Sequence, residues 1–220
     1  GIIRYFKSYG VVVMQNEPIR ILQILGIVAG GGVESVIMNY YEHIDRAKVQ
    51  FDFVVHNDNT IDITDKVKFM GGKVYKVTPY YKNPIAFMRE IYQIIKHNHY
   101  QIIHSNMNTL SALSLFAAYM ADAPIRILHN HSISVPGEWK RNLMKYIFRP
   151  FAKLFANQYW ACGKLAGIWM YGENLVNTGK VQIINNAIDL AKFKFNENKR
   201  LYFRQQFNIN HNDFVIGHVG

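Results

Sequence analysis

The run Arg126-Ile127-Leu128-His129-Asn130-His131-Ser132 ends an apolar stretch in two imidazoles, a carboxamide and a hydroxyl. Short apolar runs read as buried strands, and in open α/β sheets ligands bind in the crevice outside the carboxyl ends of the strands. His129 and His131 are therefore candidates for proton transfer, or for hydrogen bonding to a substrate, near neutral pH. Asn130 and Ser132 stand beside them. A second polar strand end, His104-Ser105-Asn106, follows Gln101-Ile102-Ile103 and adds His104 and Asn106. The His129/His131 spacing is not the i, i+4 pattern of helical zinc ligands, and no cysteine lies near, so no metal is expected. Cys162 has no base partner in the sequence and there is no GxSxG elbow, which argues against acyl transfer through a nucleophile.

A glycine-rich turn is the other chemical feature. Gly26-Ile27-Val28-Ala29-Gly30-Gly31-Gly32-Val33-Glu34-Ser35 leads from an apolar run into a helical pattern. Gly30, Gly31 and Gly32 let the backbone approach a ligand, and the unpaired amides of the next helix favour a phosphate or carboxylate. A tight turn with no ligand is the plain alternative. Gly30, Gly32 and Ser35 only approximate the GxGxxG dinucleotide fingerprint, with Asp58 as the ribose-binding acid of that reading. Glu34 is either a ligand contact or a first-turn acid that complements the helix dipole.

These residues need elements to hold them. Strand-like runs at 19–25, 51–56, 73–77, 101–104, 125–128, 158–161, 181–184 and 214–219 alternate with helical patterns at 33–44, 84–98, 109–121, 139–157, 164–172 and 198–207. Regular alternation predicts an α/β fold with a Rossmann-like parallel sheet and helices on both faces. Residues 1–17 read as an N-terminal extension, 18–187 as a Rossmann-like domain, and 188–220 as a linker and the start of a second α/β unit. The run 214–219 would be that unit's first strand, and the chain is expected to be an incomplete part of a two-domain protein.

Composition narrows the class. Half of the 220 residues are apolar, with Tyr 14 and Phe 14, enough for a sizeable core. No apolar run reaches the roughly 18 residues that span a bilayer. With one cysteine and no charged-then-apolar leader, a reducing cytoplasm is expected, and Met14 as the natural start. The formal charge of +10 suits an anionic partner. No RNA- or DNA-binding signature accompanies it, so no nucleic acid is expected. Arg141, Lys145, Arg149 and Lys153 recur every fourth residue, and Leu143, Ile147, Phe151 and Phe155 do so about half a turn away. That is a basic amphipathic helix, either a solvated surface helix or one that rests on anionic lipid. Pro150 is expected to kink it or split it.

Four pieces taken in order resemble the N-terminal half of a family-4 glycosyltransferase, a retaining enzyme of the two-Rossmann GT-B architecture. They are Gly30-Gly31-Gly32-Val33-Glu34-Ser35 leading into Met38-Asn39-Tyr40-Tyr41; Ile102-Ile103-His104-Ser105-Asn106; the Arg126 to Ser132 strand end; and Ala161-Cys162-Gly163 followed by Val181-Gln182-Ile183-Ile184-Asn185-Asn186-Ala187-Ile188-Asp189. Ala187 stands where the family usually has Gly, and Gly163 where it often has Ser. The resemblance implies transfer of a sugar, with retention, from a nucleotide-diphosphate donor to a glycan or polyprenyl-diphosphate-linked acceptor in cell-surface polysaccharide synthesis. It implies no metal or other cofactor, and a cytoplasmic site at or near the inner membrane face. His131, or His129 if the register moves by two, would orient the transferred sugar, and His131 is expected to face open solvent in this chain. Gly30 to Gly32 would serve donor or acceptor, and His104 and Asn106 the acceptor. The groups that grip the nucleotide belong to the family's second domain, so this chain alone is expected to be inactive. A nucleotide-binding Rossmann oxidoreductase and a noncatalytic anionic-lipid-binding module are the alternatives.

Overall fold

The computed structural model describes residues 17–58, 61–134, 137 and 139–217, and of Lys140 and Arg141 the backbone alone. Among the described residues, β1 (Ile19–Gly26), β2 (Val49–His56), β3 (Val74–Val77), β4 (Ile102–Ser105), β5 (Ile125–Asn130), β6 (Gln158–Ala161) and β7 (Val181–Ile183) form one sheet. Every pairing is parallel, in the order β3-β2-β1-β4-β5-β6-β7. The connecting helices are α1 (Gly32–His43), α2 (Thr64–Phe69), α3 (Pro84–Asn98), α4 (Ser111–Met120), α5 (Trp139–Phe155), α6 (Lys164–Tyr171) and α7 (Glu173–Asn177). The chain steps outward from β1 to β3, then returns to lay β4 on the other side of β1. That reversal opens the switch-point crevice at the carboxyl ends of β1 and β4.

Strand parity assigns each side chain to a face. Ile21, Phe51, Phe53, Val55, Ile102, Ile125 and Ile127 pack with Ile37, Met38 and Tyr41 of α1 and Val67 of α2. On the opposite face Leu22, Ile24, Val54 and Ile103 meet Phe87, Ile91 and Ile95 of α3 and Ala117 and Ala118 of α4. A third cluster joins Leu128 and Ala161 to Ala152, Met170 and Tyr171. Each fully buried large apolar side chain contributes about 2 kcal/mol of transfer free energy. α3 shows how local signals start and stop an element. Asn83 Oδ1 accepts the Ala86 N–H at 3.0 Å, Pro84 supplies a preset first-turn φ, and His99 turns left-handed at φ 54° to end it. β1 ends at Gly26 with φ 76°, so the chain can turn sharply into the crevice there.

One buried charge joins the sheet's first half. Asp52 on β2 is fully buried and accepts from Arg20 Nε (2.7 Å) and Nη2 (2.5 Å), from the Tyr100 hydroxyl (2.6 Å) and from the Lys73 N–H (2.7 Å). Arg20 is held above its usual range chiefly by that hydrogen bond, and the Tyr100 hydroxyl is pushed far up by burial and then by Asp52. Removing the carboxylate strands a part-buried guanidinium and a buried hydroxyl.

Three expectations are corrected, and two helices were not expected. α5 runs through Pro150 without ending, and Pro150 lies on the exposed side of the helix, where its ring displaces no core neighbour. Residues 214–217 form no strand; Phe214 and Ile216 are exposed and no described strand pairs with them, and an isolated strand is unstable. α2 and α7 had no expectation, being too short to show a helical period. β5 continues through His129 and Asn130, so these are strand residues and not a tip.

The chain divides into two compact units at Ala187/Ile188. In the second, α8 (Glu197–Gln206) starts at Asn196, whose side chain accepts the Lys199 N–H at 2.9 Å, and none of its residues is buried. For the first unit, Asp52→Ala is expected to lower the free energy of unfolding by about 3 kcal/mol in a urea titration. A loss below about 1 kcal/mol would show that the carboxylate is solvated.

Candidate functional site

The carboxyl edge of the sheet holds a polar patch on the α1 face. Gln23 of β1 is in register with His104 of β4, His104 with Ile127 of β5, and His129 with Trp160 of β6. Parity turns Gln23, His104 and His129 to the side where Ile125 and Ile127 meet α1. All are buried: Gln23 is 1 % exposed, His104 4 %, Asn106 2 % and His129 2 %. Burial of so many polar groups is tolerated only where they satisfy one another. Asn106 Nδ2 donates to Gln23 Oε1 at 3.0 Å and to the His104 carbonyl at 3.3 Å. His104 Nε2 and His129 Nδ1 share a hydrogen bond of 3.0 Å, their rings stacked within 11° and the Trp160 ring edge-on to both.

His131 sits just past β5, partly exposed. Its N–H donates to Asn108 Oδ1 at 2.6 Å, and Asn108 itself holds φ 53°. Nε2 lies 3.0 Å from Asn106 Oδ1, and the ring centroid is 3.9 Å from that of His129. The expectation of an imidazole in open solvent is corrected: the ring is drawn down onto His129 and Asn106, because the buried carboxamide needs a donor. His104 and Asn106 turn their side chains into the patch, and direct acceptor contact by either is not what this arrangement offers. His129 lies beneath His131. Asn130 is fully buried and donates to the Ser132 carbonyl (2.7 Å) and the Ala166 carbonyl (2.9 Å), fixing the loop after β5 to α6. Ser132 is partly exposed in that loop.

Gly30, Gly31 and Gly32 are exposed. The Ala29 N–H donates to Glu34 Oε1 at 3.0 Å and the Gly31 N–H to the same oxygen. Glu34 therefore caps the turn with its own carboxylate. Asp58 accepts from the Tyr81 hydroxyl (2.6 Å) and pairs with Lys82 (2.7 Å). Among the described residues no three His, Cys, Asp or Glu are grouped to hold a metal ion. Burial raises the Cys162 thiol, which keeps it protonated and a poor nucleophile.

Gln23, Asn108 and Trp160 had no place in the sequence reading. Gln23 did carry a signal: a lone carboxamide inside the apolar central strand Ile19–Gly26. Asn108 and Trp160 carried none, since their roles come from partners more than twenty residues away.

The basic helix differs from its expectation. Leu143, Met144, Tyr146, Ile147, Phe151 and Leu154 point outward, each about half exposed or more, while Ala152 is fully buried. Lys145, Arg149 and Lys153 lie on the flanks that approach the body; Lys145 donates to the Ile133 carbonyl at 2.9 Å and Arg149 stands 5.6 Å over the Trp169 ring. The side chain of Arg141 lies outside the described residues. Most of the apolar row, not the basic one, faces out; Phe155 of that row packs on the body with Phe148, beside the small Ala152 and, just past the helix, Ala156.

Burial pushes His104 down to about 3 and His131 down to about 4, and holds His129 lower still, with the neighbouring imidazoles adding to the effect on His104 and His129. In an unfolded chain each titrates near 6.5. Their folded values are depressed, so below about pH 6.5 the unfolded state binds protons that the folded state refuses. The unfolding free energy should hold above pH 7 and fall as pH drops toward 4, by on the order of 1 kcal/mol per pH unit per histidine. Urea titrations at pH 7.5, 6 and 5 measure this; a smaller slope in His104→Gln is expected, and an unchanged slope would assign the acid sensitivity elsewhere.

Comparison with known proteins places these features. Residues 30–192 match the model of Glycosyltransferase Family 4. EpsF of Bacillus subtilis (strain 168), named as a glycosyltransferase, is 29 % identical over 210 residues, covering 94 % of this chain and 55 % of EpsF. The chain thus spans about half the length of this curated relative. The crystal structure of Anabaena HepE in complex with UDP-glucose matches with a TM-score of 0.65 at 18 % identity, over 86 % of this chain and 50 % of HepE. A Listeria monocytogenes structure bearing the name of a UDP-N-acetylglucosamine 2-epimerase matches at 0.51 and 13 % identity, over 74 % of this chain and 43 % of that one. Both likenesses concern the fold, a Rossmann-like unit of the GT-B kind. With the family model matched from the glycine turn past β7, the chain belongs to Glycosyltransferase Family 4.

Proposed function

We propose that the full-length protein moves a sugar, with retention of configuration, from a nucleotide-diphosphate sugar to the hydroxyl of a glycan or polyprenyl-diphosphate-linked acceptor in cell-surface polysaccharide synthesis. Residues 18–187 form the acceptor-side domain, residues 188–220 lead toward a nucleotide-sugar-binding domain, and the chain by itself is inactive. Family membership supports the reaction class, and HepE, whose fold this chain shares, binds UDP-glucose. The observation that carries the reading is His131: a partly exposed imidazole at the end of β5, beside the switch-point crevice and on the face that α1 and its glycine turn cover.

In the reaction the bond from the anomeric carbon to the diphosphate oxygen breaks while the acceptor oxygen bonds to that carbon from the same face, the acceptor O–H breaking and its proton passing to the departing diphosphate. Charge grows on the leaving diphosphate, which backbone amides stabilise best when already aimed at it. The Gly30 to Gly32 turn can give such amides once the Glu34 carboxylate gives way. His131 orients the sugar, Asn130 and Ser132 shape the loop that carries it, and His104, Asn106 and His129 support it from below. No metal takes part.

The outward apolar row of α5 favours a peripheral membrane contact in addition. No helix among the described residues is long and apolar enough to cross a membrane. A helix with Leu143, Met144, Ile147, Phe151 and Leu154 outward and Lys145, Arg149 and Lys153 along its flanks instead suits an anionic bilayer surface, with Arg141 added in the first turn.

His131→Ala in the full-length protein is expected to cut kcat/KM for sugar transfer about 100-fold while the protein stays folded, its unfolding free energy at pH 7.5 falling by about 1–3 kcal/mol as Asn106 Oδ1 loses its donor; transfer within threefold of wild type would remove His131 from the site. In flotation with phosphatidylglycerol vesicles, the triple variant Lys145→Glu, Arg149→Glu, Lys153→Glu should bind at least about tenfold more weakly, given roughly 1 kcal/mol per basic residue near such a surface. Equal binding by the variant, or by wild type to neutral vesicles, would end the electrostatic part of this reading.

A further inference from the structure

We propose that Gln23 and Asn106 are positioning residues that fix the tautomer of His131, keeping its proton on Nε2 and leaving Nδ1 as an acceptor for a hydroxyl of the transferred sugar. The tautomer follows from the hydrogen bonds alone; only the sugar rests on the transferase reading.

The orientation of the Asn106 carboxamide decides it. One of its ends lies 3.3 Å from the backbone carbonyl of His104 and 3.0 Å from Gln23 Oε1, and the other lies 3.0 Å from His131 Nε2. A backbone carbonyl can only accept, so the end that faces it must be the NH2 group. The end that faces His131 is then the carbonyl oxygen, which can only accept as well. The hydrogen between them must therefore sit on Nε2. Turning the carboxamide over would set two acceptors against each other inside a patch where Asn106 is 2 % exposed, with no water to relieve them.

Gln23 makes the arrangement one-sided. It lies directly across from His104 in the β1–β4 register, 1 % exposed, with its oxygen on Asn106 Nδ2. A buried carboxamide in the central strand of a parallel sheet is costly unless its polar atoms are used, and here one is used on the group that holds His131. The chain of bonds runs from β1 through Asn106 after β4 to His131 after β5, crossing the switch point. At its far end His131 Nδ1 has no partner among the described residues and is not among the sealed polar atoms. Neutral and unprotonated there, it can take a hydrogen bond from a hydroxyl and gives nothing to a group that lacks one. A donor sugar missing the contacted hydroxyl would leave the lone pair unpaired, which is how such a site discriminates.

The test reads the tautomer directly, by long-range proton–nitrogen correlation on this chain with 15N-labelled histidine at pH 7.5, the His131 signals assigned by their loss in His131→Gln. Wild type should show His131 predominantly as the Nε2–H form. Asn106→Leu should move it toward a mixture with Nδ1–H, and Gln23→Leu should do so partly. Asn106→Asp, which keeps an acceptor for Nε2–H, should hold the tautomer and raise the titration midpoint. A purely structural role for these residues would change the melting of the variants and leave the tautomer alone. Nδ1–H in wild type, or the same tautomer in Asn106→Leu as in wild type, would overturn the proposal. Should Asn106→Leu fail to fold, Gln23→Leu against Asn106→Asp carries the comparison, and identical spectra would be equally decisive against it. In the full-length protein, Gln23→Leu is expected to lower kcat about tenfold or more with acceptor KM unchanged, as a wrong tautomer does. Absence of sugar transfer by the wild-type full-length protein would end the transferase reading without touching the tautomer; an Nδ1–H wild type would end the tautomer assignment without touching the transferase.

Discussion

A parallel sheet covered by helices on both faces leaves no solvated side for polar groups, and this constraint governs the molecule. Any polar side chain on β1, β4 or β5 must find a protein partner or reach the carboxyl edge. Asp52 meets the demand with four donors near the start of the sheet's first pair. Gln23, His104, Asn106 and His129 meet it in part at the other end, where His129 Nε2 stays unpaired while the Gln23–Asn106 contact holds the carboxamide that bonds His131 at the rim. His131 is thus held by the interior and not by its own loop alone.

The same economy explains the glycine turn. Exposed amides at the start of α1 attract negative charge, and in the absence of a ligand the chain supplies its own through Glu34. The carboxylate holds the Ala29 and Gly31 amides together and so fixes the shape of the turn.

The surface carries a different imbalance. α5 buries Ala152 and packs Phe148 and Phe155 on the body, yet turns Leu143, Met144, Ile147, Phe151 and Leu154 outward, which a protein in water alone does not favour. Its flanking cations lean on the body through a backbone carbonyl and an indole ring. Long basic side chains that bury their stems and keep their heads near an interface are suited to a boundary between water and lipid. The crevice at the strand ends and the outward apolar face of α5 belong to one compact unit.

Much of the architecture is legible in the sequence by itself. Alternating strand and helix patterns give the parallel α/β sheet, with Gln158–Ala161 and Pro84–Asn98 marked to the residue by flanking polar and proline signals. The family is legible too, because motifs at strand ends keep their order whatever the packing. The direction of α5 is not: two rows half a turn apart look alike in sequence, and only the size of the contact with the body, set by Ala152 and Ala156, decides which row is hidden. Nor is the state of His131. The sequence puts an imidazole at a strand end, but its tautomer depends on a carboxamide from β1 and another from the end of β4. β4 comes to lie between β1 and β5 only when the sheet forms, so what the residue can do is settled by register across strands, which local sequence does not encode.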